Sequence, residues 1–213
     1  MVVRILLADD HMVVRRGLRA LLQTRPDFSV CAEAANGREA VEFALHHSPD
    51  VVVLDVSLPI LNGVDATYQI RKAAPGTEVL IFTMHDSEST IREALQAGAR
   101  GYLLKSEGDE QIIPAIEALS RHRTYFSSQV SETLLDAILQ IGNSKDVAGP
   151  LTSREREIVQ LIAEGGSSRK IAMSLGISVK TVETHRSTSM RKLRVHTTAE
   201  LVRYAMRNKL VQP

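Results

Sequence analysis

The sequence has a single cysteine, Cys31, and no long apolar segment among its 213 residues. One thiol cannot form an internal disulfide framework, and it fits a reducing compartment. No uninterrupted apolar run approaches the roughly 20 residues that a membrane-spanning helix needs. The apolar stretch near the N-terminus is also too short for a signal peptide. We therefore expect a cytoplasmic protein without membrane insertion.

The sequence has little net charge, +1, but its charges are unevenly distributed. Residues 1–120 contain 11 Lys and Arg against 17 Asp and Glu, a net charge of −6, and residues 121–149 are neutral. Residues 150–213 contain 12 basic and 5 acidic side chains, a net charge of +7. This division indicates two domains with different partners, of which the second favours a polyanion.

The first 120 residues alternate between two kinds of hydrophobic pattern. Short runs rich in Val, Ile and Leu predict strands at 3–8, 28–34, 51–54, 79–83 and 101–104. Amphipathic stretches predict helices at 12–23, 37–47, 64–74, 87–97 and 109–121. Five strands alternating with five helices predict a parallel sheet covered by helices on both faces.

The remaining residues show only helical and flexible patterns. Residues 127–141 predict a helix, and the Gly-containing polar segment 142–149 predicts a flexible linker. Four short helices follow, and the sequences at 152–155 and 197–200 both match a capping box. A helix around 168–175, Gly176 and a second helix at 179–193 form the helix-turn-helix pattern.

Five polar side chains end the predicted strands of the first domain. They are Asp9 and Asp10 after the first strand, Asp55 after the third, Thr83 at the end of the fourth and Lys105 after the fifth. Functional groups gather at the carboxyl ends of strands in open parallel sheets, so these side chains should converge. Clustered carboxylates need a cation, and a hard ion such as Mg²⁺ suits their oxygens. Lys105 and Thr83 can then contact a phosphoryl group.

Four phrases of the first domain, LLADDHMVVRRGL, DVVVLDVSLPILNGVDA, VLIFTMHD and AGARGYLLKS, resemble the receiver domain of two-component response regulators. The resemblance implies a flavodoxin-like fold over residues 1–121 and a sensor histidine kinase that phosphorylates Asp55. It implies Mg²⁺ bound directly by Asp10, mainly through water by Asp9, and by Asp55 and the backbone carbonyl of Ser57. Lys105 would contact the phosphoryl group. The implied switch pair is Thr83, whose hydroxyl moves toward the phosphoryl group, and Tyr102, whose ring follows it inward.

Residues 150–213 resemble the LuxR-type DNA-binding domain, with LTSREREIVQLIAEGGSSRKIAMSLGISVKTVETHRSTSMRKL as the matching phrase. Together with a receiver and a linker at 122–149 that contains a helix, this is the architecture of NarL/FixJ-type regulators. The resemblance implies that helix 179–193 lies in the major groove of double-stranded DNA. Base-reading positions fall at Glu183, Thr184 and Ser187. Lys180, Thr181, His185 and Arg186 are placed near phosphates or the groove edge, and Arg191 shares the exposed face. Ser189 replaces a common Ile, which should weaken local packing.

We therefore expect a transcription regulator rather than an enzyme, whose only chemistry is its own phosphorylation and dephosphorylation at Asp55. Phosphorylation is expected to release the DNA-binding domain and to produce a homodimer. Two alternatives stay open. A phosphohydrolase could use an Asp nucleophile with Mg²⁺, although haloacid dehalogenase-type enzymes place it in a D-x-D motif on the first strand. A first domain that senses a small ligand would not need the complete set of Asp, Thr and Lys.

Overall fold

The computed structural model describes residues 2–140, 151–208 and 210–211, which fall into two compact units. The N-terminal unit contains a β-sheet, and the C-terminal unit is helical. The linker predicted at 142–149 lies outside the described residues. Within the part of the chain that is described, no helix combines the length and the apolar character that crossing a bilayer requires.

The sheet of the N-terminal unit is entirely parallel, in the order β2-β1-β3-β4-β5-β6. Its strands are β1 (Val3–Ala8), β2 (Phe28–Ala34), β3 (Val51–Leu54), β4 (Glu78–Thr83), β5 (Gly101–Leu104) and β6 (Tyr125–Phe126). Every residue of the three strands β3, β4 and β5 is buried. Continuous apolar strands form where helices cover both faces of a parallel sheet, as the sequence predicts.

The prediction of five strands is wrong, because the described residues form six. β6 pairs with β5, with Tyr125 opposite Gly101 and Phe126 opposite Tyr102. A two-residue strand is too short to show any alternation of apolar and polar side chains, so the sequence gives no strand signal there. The sheet thus continues beyond residue 121, into the segment that was predicted as a linker.

The helices of the N-terminal unit are α1 (Met12–Leu22), α2 (Gly37–His47), α3 (Gly63–Ala73), α4 (Glu88–Gln96), α5 (Gly108–Leu119) and α6 (Ser128–Gln140). Leu18 and Leu22 of α1 share one core cluster with Ile112 and Ile116 of α5, so these helices cover the same face of the sheet. α2 contacts β1 and α3 contacts β4 on the other face, with α4 beside α3. α6 follows β6 directly and packs against α4 and β5.

The C-terminal unit contains α7 (Ser153–Ala163), α8 (Ser168–Leu175), α9 (Val179–Leu193) and α10 (Thr198–Arg207). Both predicted capping boxes are confirmed, at Thr152 with Glu155 and at Thr197 with Glu200. Gly176 ends α8 at a φ of 63°, a left-handed conformation that glycine adopts without steric cost. The predicted helix-turn-helix is therefore formed by α8 and α9, and its core includes the following buried apolar side chains: Ile158, Val159, Ile171, Val182 and Leu201.

Ser189 of α9 is fully buried, and its hydroxyl has no hydrogen-bond partner among the described residues. A buried polar group without a partner loses its hydration and gains nothing in exchange. We predict that Ser189→Ala raises the free energy of unfolding of the C-terminal unit by about 1 kcal/mol, because alanine is almost the same size and lacks the hydroxyl. Urea unfolding, monitored by hydrogen exchange at the backbone amides of α9, measures this change.

Ser174→Ala is the matched control, because the Ser174 hydroxyl donates a hydrogen bond to the carbonyl of Ile171 at 3.0 Å. This substitution should not stabilise the unit. A loss of stability in Ser189→Ala would show that the hydroxyl contributes to the core.

Candidate phosphoacceptor site and nucleic-acid interface

The register of the sheet brings the predicted site residues to one edge. Ala8 of β1 lies opposite Leu54 of β3, so the carboxylates that follow, Asp9 and Asp55, leave the sheet side by side. The backbone N–H of Asp55 donates to the carbonyl of Ala8 at 2.9 Å. The strand order reverses between β1 and β3, which is where ligands bind in doubly wound sheets.

Lys105 reaches this pair of carboxylates from β5. Its Nζ lies 2.8 Å from Oδ2 of Asp55 and 2.6 Å from Oδ2 of Asp9. Asp9 is 2% exposed and Asp55 is 4% exposed. Two buried carboxylates repel each other, and the shared ammonium compensates part of that repulsion.

The protonation of Lys105 follows from two opposing effects. Burial disfavours the charged ammonium, but the charge and hydrogen bond of Asp55, with those of Asp9, outweigh burial and raise the pKa of Lys105. Lys105 therefore stays protonated and places a positive charge beside the two carboxylates. Oδ1 of Asp55 is buried and has no hydrogen-bond partner among the described residues, whereas Oδ2 is bonded to Lys105.

Four side chains at this edge form a group that could hold a metal ion. Asp9, Asp10, His11 and Asp55 each offer a ligand atom, and these atoms lie within 4.8 Å of one another. Nδ1 of His11 lies 2.7 Å from Oδ1 of Asp10, although the His11 side chain is 53% exposed. The three carboxylates and the partnerless Oδ1 of Asp55 fit a hard divalent cation, which prefers oxygen ligands.

Thr83 and Tyr102, the predicted switch pair, are both fully buried. The Tyr102 hydroxyl donates to the carbonyl of His85 at 2.7 Å, so its ring occupies the inward position. The backbone N–H of His85 in turn donates weakly to Oγ1 of Thr83, at 3.4 Å. Burial first, and then the negative charges of Asp55 and Asp86, raise the pKa of Tyr102, so its hydroxyl remains a donor.

Two features of the site escaped the sequence analysis. Nε2 of His85 and Oγ of Ser57 are hydrogen-bonded, so His85 contacts the segment that follows Asp55. Gly63 packs so closely on this segment that a Cβ there would lie 2.0 Å from the carbonyl oxygen of Asp55. The sequence did contain signals for both features. Ser57 follows Asp55 at the same interval at which His85 follows Thr83, and α3 begins with a glycine.

Helix α9 occupies the range predicted for the recognition helix, and its two faces differ in burial. Val182 is buried in the core, and Met190 and Leu193 pack against that core. The side chains predicted on the opposite face are all exposed: Lys180, Glu183, Thr184, Ser187 and Arg191. The three others predicted near phosphates or the groove edge, Thr181, His185 and Arg186, are half-buried. The exposed face is thus continuous along the helix.

Hydrogen bonds within the C-terminal unit hold several of these side chains in place. The Thr184 hydroxyl donates to the carbonyl of Lys180 at 2.9 Å. The hydroxyls of Ser178 and Thr181 lie 2.8 Å apart at the start of α9. The Arg186 guanidinium donates to Oγ1 of Thr198. Lys180 and Arg191 have no ion-pair partner in the described part of the chain, so both charges are free to meet an anion.

Comparison with known proteins assigns both units. Residues 5–117 match the response regulator receiver domain, and residues 149–205 match the bacterial regulatory proteins of the luxR family. The oxygen regulatory protein NreC of Staphylococcus epidermidis is 39% identical over 216 residues, covering 98% of this chain and 99% of that protein.

Two solved structures resemble the chain. A LuxR-family response regulator from Aurantimonas sp. is 37% identical and covers 65% of this chain and 99% of its own, with a TM-score of 0.63. The response regulator ChrA of a heme-sensing two-component system is 34% identical, covers 99% of both chains and has a TM-score of 0.54. With a receiver domain followed by a LuxR-type helix-turn-helix, the chain belongs to the NarL/FixJ-type response regulators, which are DNA-binding transcription regulators.

Proposed function

We propose that a sensor histidine kinase transfers a phosphoryl group to Asp55, and that this modification controls DNA binding by α9. The observation that carries the proposal is the environment of Asp55. Its carboxylate is buried, one oxygen is bonded to Lys105, and the other has no partner among the described residues. A carboxylate with one oxygen held and one available is arranged to act as a nucleophile.

In the transfer, an oxygen of Asp55 forms a bond to phosphorus while the bond from phosphorus to the kinase histidine nitrogen breaks. The product is an acyl phosphate on Asp55, and the histidine nitrogen leaves with the electron pair of the broken bond. Lys105 stabilises negative charge on the phosphoryl oxygens, and Gly63 lets α3 pack against the Asp55 backbone without displacing it.

Mg²⁺ is the cation we assign to the acidic group, held by Asp10, by Asp9 mainly through water, by Asp55 and by the carbonyl of Ser57. When bound, it supplies charge neutralisation for the transferring phosphoryl group. Asp10 is the exposed carboxylate of the group, so it can meet an ion arriving from solvent. The protein's own activity is limited to this phosphorylation and the later hydrolysis of the acyl phosphate.

The first prediction tests Asp55 as the acceptor. With Mg²⁺ and a small phosphodonor, intact mass spectrometry should show one phosphoryl adduct on the wild-type chain and none on Asp55→Asn. Asp50→Asn is the control. Asp50 precedes β3, at the end of the strand opposite Asp55, and its carboxylate accepts a hydrogen bond from the backbone N–H of Arg4. An adduct that persists in Asp55→Asn would disprove the assignment. Turnover of many phosphate esters without a stable adduct would favour the phosphohydrolase.

The second prediction concerns the metal. Asp10→Ala should lower the initial rate of adduct formation at low Mg²⁺ concentration by roughly tenfold or more, because a direct ligand is lost. The fold should be unaffected, since Asp10 is exposed. Asp86→Ala is the control, as it removes another exposed carboxylate close enough to influence Tyr102. An unchanged Mg²⁺ dependence in Asp10→Ala would remove this residue from the ligand set.

We further propose that the signal leaves the site through Tyr102 and β6. Tyr102 contacts the loop after Thr83 through its hydroxyl, and its backbone carbonyl accepts a hydrogen bond from the N–H of Ser127 at 3.3 Å. Ser127 lies between β6 and α6, and its carbonyl accepts the N–H of Ser131 in the first turn of α6. A shift of Tyr102 is therefore transmitted to α6, the helix that precedes the linker, and α6 sets the release and dimerisation of the DNA-binding domain.

The third prediction tests this connection with two substitutions at one position. Ser127→Pro removes the N–H that bonds to Tyr102, whereas Ser127→Ala retains it. Proline suits this position because the preceding residue is already in a strand and the following one begins a helix. Hydrogen exchange of the full chain, with and without the phosphoryl analogue beryllofluoride, measures the response of α6.

In the wild-type protein and in Ser127→Ala, beryllofluoride should change exchange both at residues 83–87 and in the first turns of α6. In Ser127→Pro the response at 83–87 should remain, and the response of α6 should be lost. Equal responses of α6 in the two variants would contradict transmission through this hydrogen bond.

A further inference from the structure

An open cleft of about 830 Å³ lies in the C-terminal unit, where α9 ends and the chain turns toward α10. Met190 and Val195 are its apolar lining residues. Four basic side chains also line it: Arg186, Arg191, Arg194 and His196. Glu183 is the one carboxylate among the lining residues, so the cleft carries a net positive charge.

Arg194 has a backbone conformation that arginine does not favour. It ends α9 with a φ of 54° and a ψ of 39°, in the left-handed region. Its N–H closes the helix by donating to the carbonyls of Met190 and Arg191. A residue with a Cβ is strained there, and glycine or asparagine usually occupies such a position. The fold alone therefore does not favour arginine at residue 194.

The charges of Arg191 and Arg194 are also uncompensated. Both side chains are exposed, and neither has an ion-pair partner in the described ranges. The neighbouring Lys192, by contrast, lies 2.6 Å from a carboxylate oxygen of Glu155. Two guanidinium groups that line one cleft without an ion-pair partner repel each other, and a bound anion reduces that repulsion.

The cleft continues the surface of α9 that is proposed to face DNA. Glu183, Ser187 and Arg191 belong to that surface and also line the cleft. A duplex whose major groove holds the first turns of α9 would pass one sugar-phosphate strand across the end of the helix. Phosphate contacts of this kind fix the position of a recognition helix without reading sequence.

We propose that Arg194 binds a phosphate of the DNA backbone at the edge of the groove, with His196 beside it. This inference rests on the proposed role of α9 in DNA binding and adds a contact that lies beyond the helix. The guanidinium of Arg194 reaches the phosphate from the turn, which accounts for an arginine at this strained position. Glycine would relieve the backbone but would provide no charge.

The test exploits the opposite effects that one substitution should have on stability and on binding. Arg194→Gly and Arg194→Asn both suit the left-handed conformation and both remove the charge. Binding of the full chain to a mixed-sequence DNA duplex is measured over a range of salt concentrations. Each variant should bind more weakly, and its salt dependence, the slope of log K against log salt, should fall by about 0.9 per protomer. The melting temperature of the C-terminal unit should be unchanged or higher.

Arg207→Ala is the control, since it removes an exposed positive charge from the last turn of α10, outside the cleft. Its salt dependence should stay close to that of the wild type. Wild-type slopes in both Arg194 variants, or an equal decrease in Arg207→Ala, would overturn the phosphate contact. If the wild-type chain does not bind the duplex while Asp55 still accepts a phosphoryl group, the proposed role of α9 fails instead.

Discussion

The ammonium of Lys105, shared between Asp9 and Asp55, is the interaction on which the site depends. The parallel pairing of β1 with β3 forces two carboxylates together at a buried sheet edge, where their repulsion is poorly screened. β5 places Lys105 beside both of them. The result is a buried carboxylate at Asp55 with one oxygen bonded to Lys105 and the other without a partner among the described residues. The proposed nucleophile, cation site and phosphoryl contact all depend on the placement of these three strand ends.

The same sheet also contains the proposed route out of the site. Tyr102 lies in β5, which pairs with β4, the strand that ends at Thr83. The side chain and the backbone of Tyr102 contact different segments. The hydroxyl contacts the carbonyl of His85, near the site, and the backbone carbonyl contacts Ser127, at the start of α6. On the proposed route, a shift of the Tyr102 backbone in β5 would reach α6 through the Ser127 hydrogen bond.

The sequence predicts most of the fold because strands buried on both faces leave continuous apolar runs, and the helices between them leave regular spacing. The polar residues at the strand ends are visible for the same reason. What escaped prediction depends on contacts between distant segments. β6 has only two residues, the Ser57–His85 hydrogen bond joins two loops, and the need for glycine at residue 63 arises from a close approach to Asp55. The strained conformation of Arg194 is equally hidden, because an arginine side chain does not indicate a left-handed backbone.

The C-terminal unit separates the demands of folding from those of binding. α7 and α10 both begin with complete capping boxes, whereas the first turns of α8 and α9 contain no acidic residue. Carboxylates in the first turn stabilise a helix but repel DNA phosphates. Within this unit, the two helices that lack them are those of the helix-turn-helix, which is consistent with DNA binding. Ser189, with its unpartnered buried hydroxyl, and Arg194, with its strained backbone, both lower the stability of the unit. The two residues differ in burial. Ser189 is buried and cannot touch DNA, whereas Arg194 is exposed and lines a basic cleft. Binding can therefore account for Arg194, while nothing in the structure explains the serine.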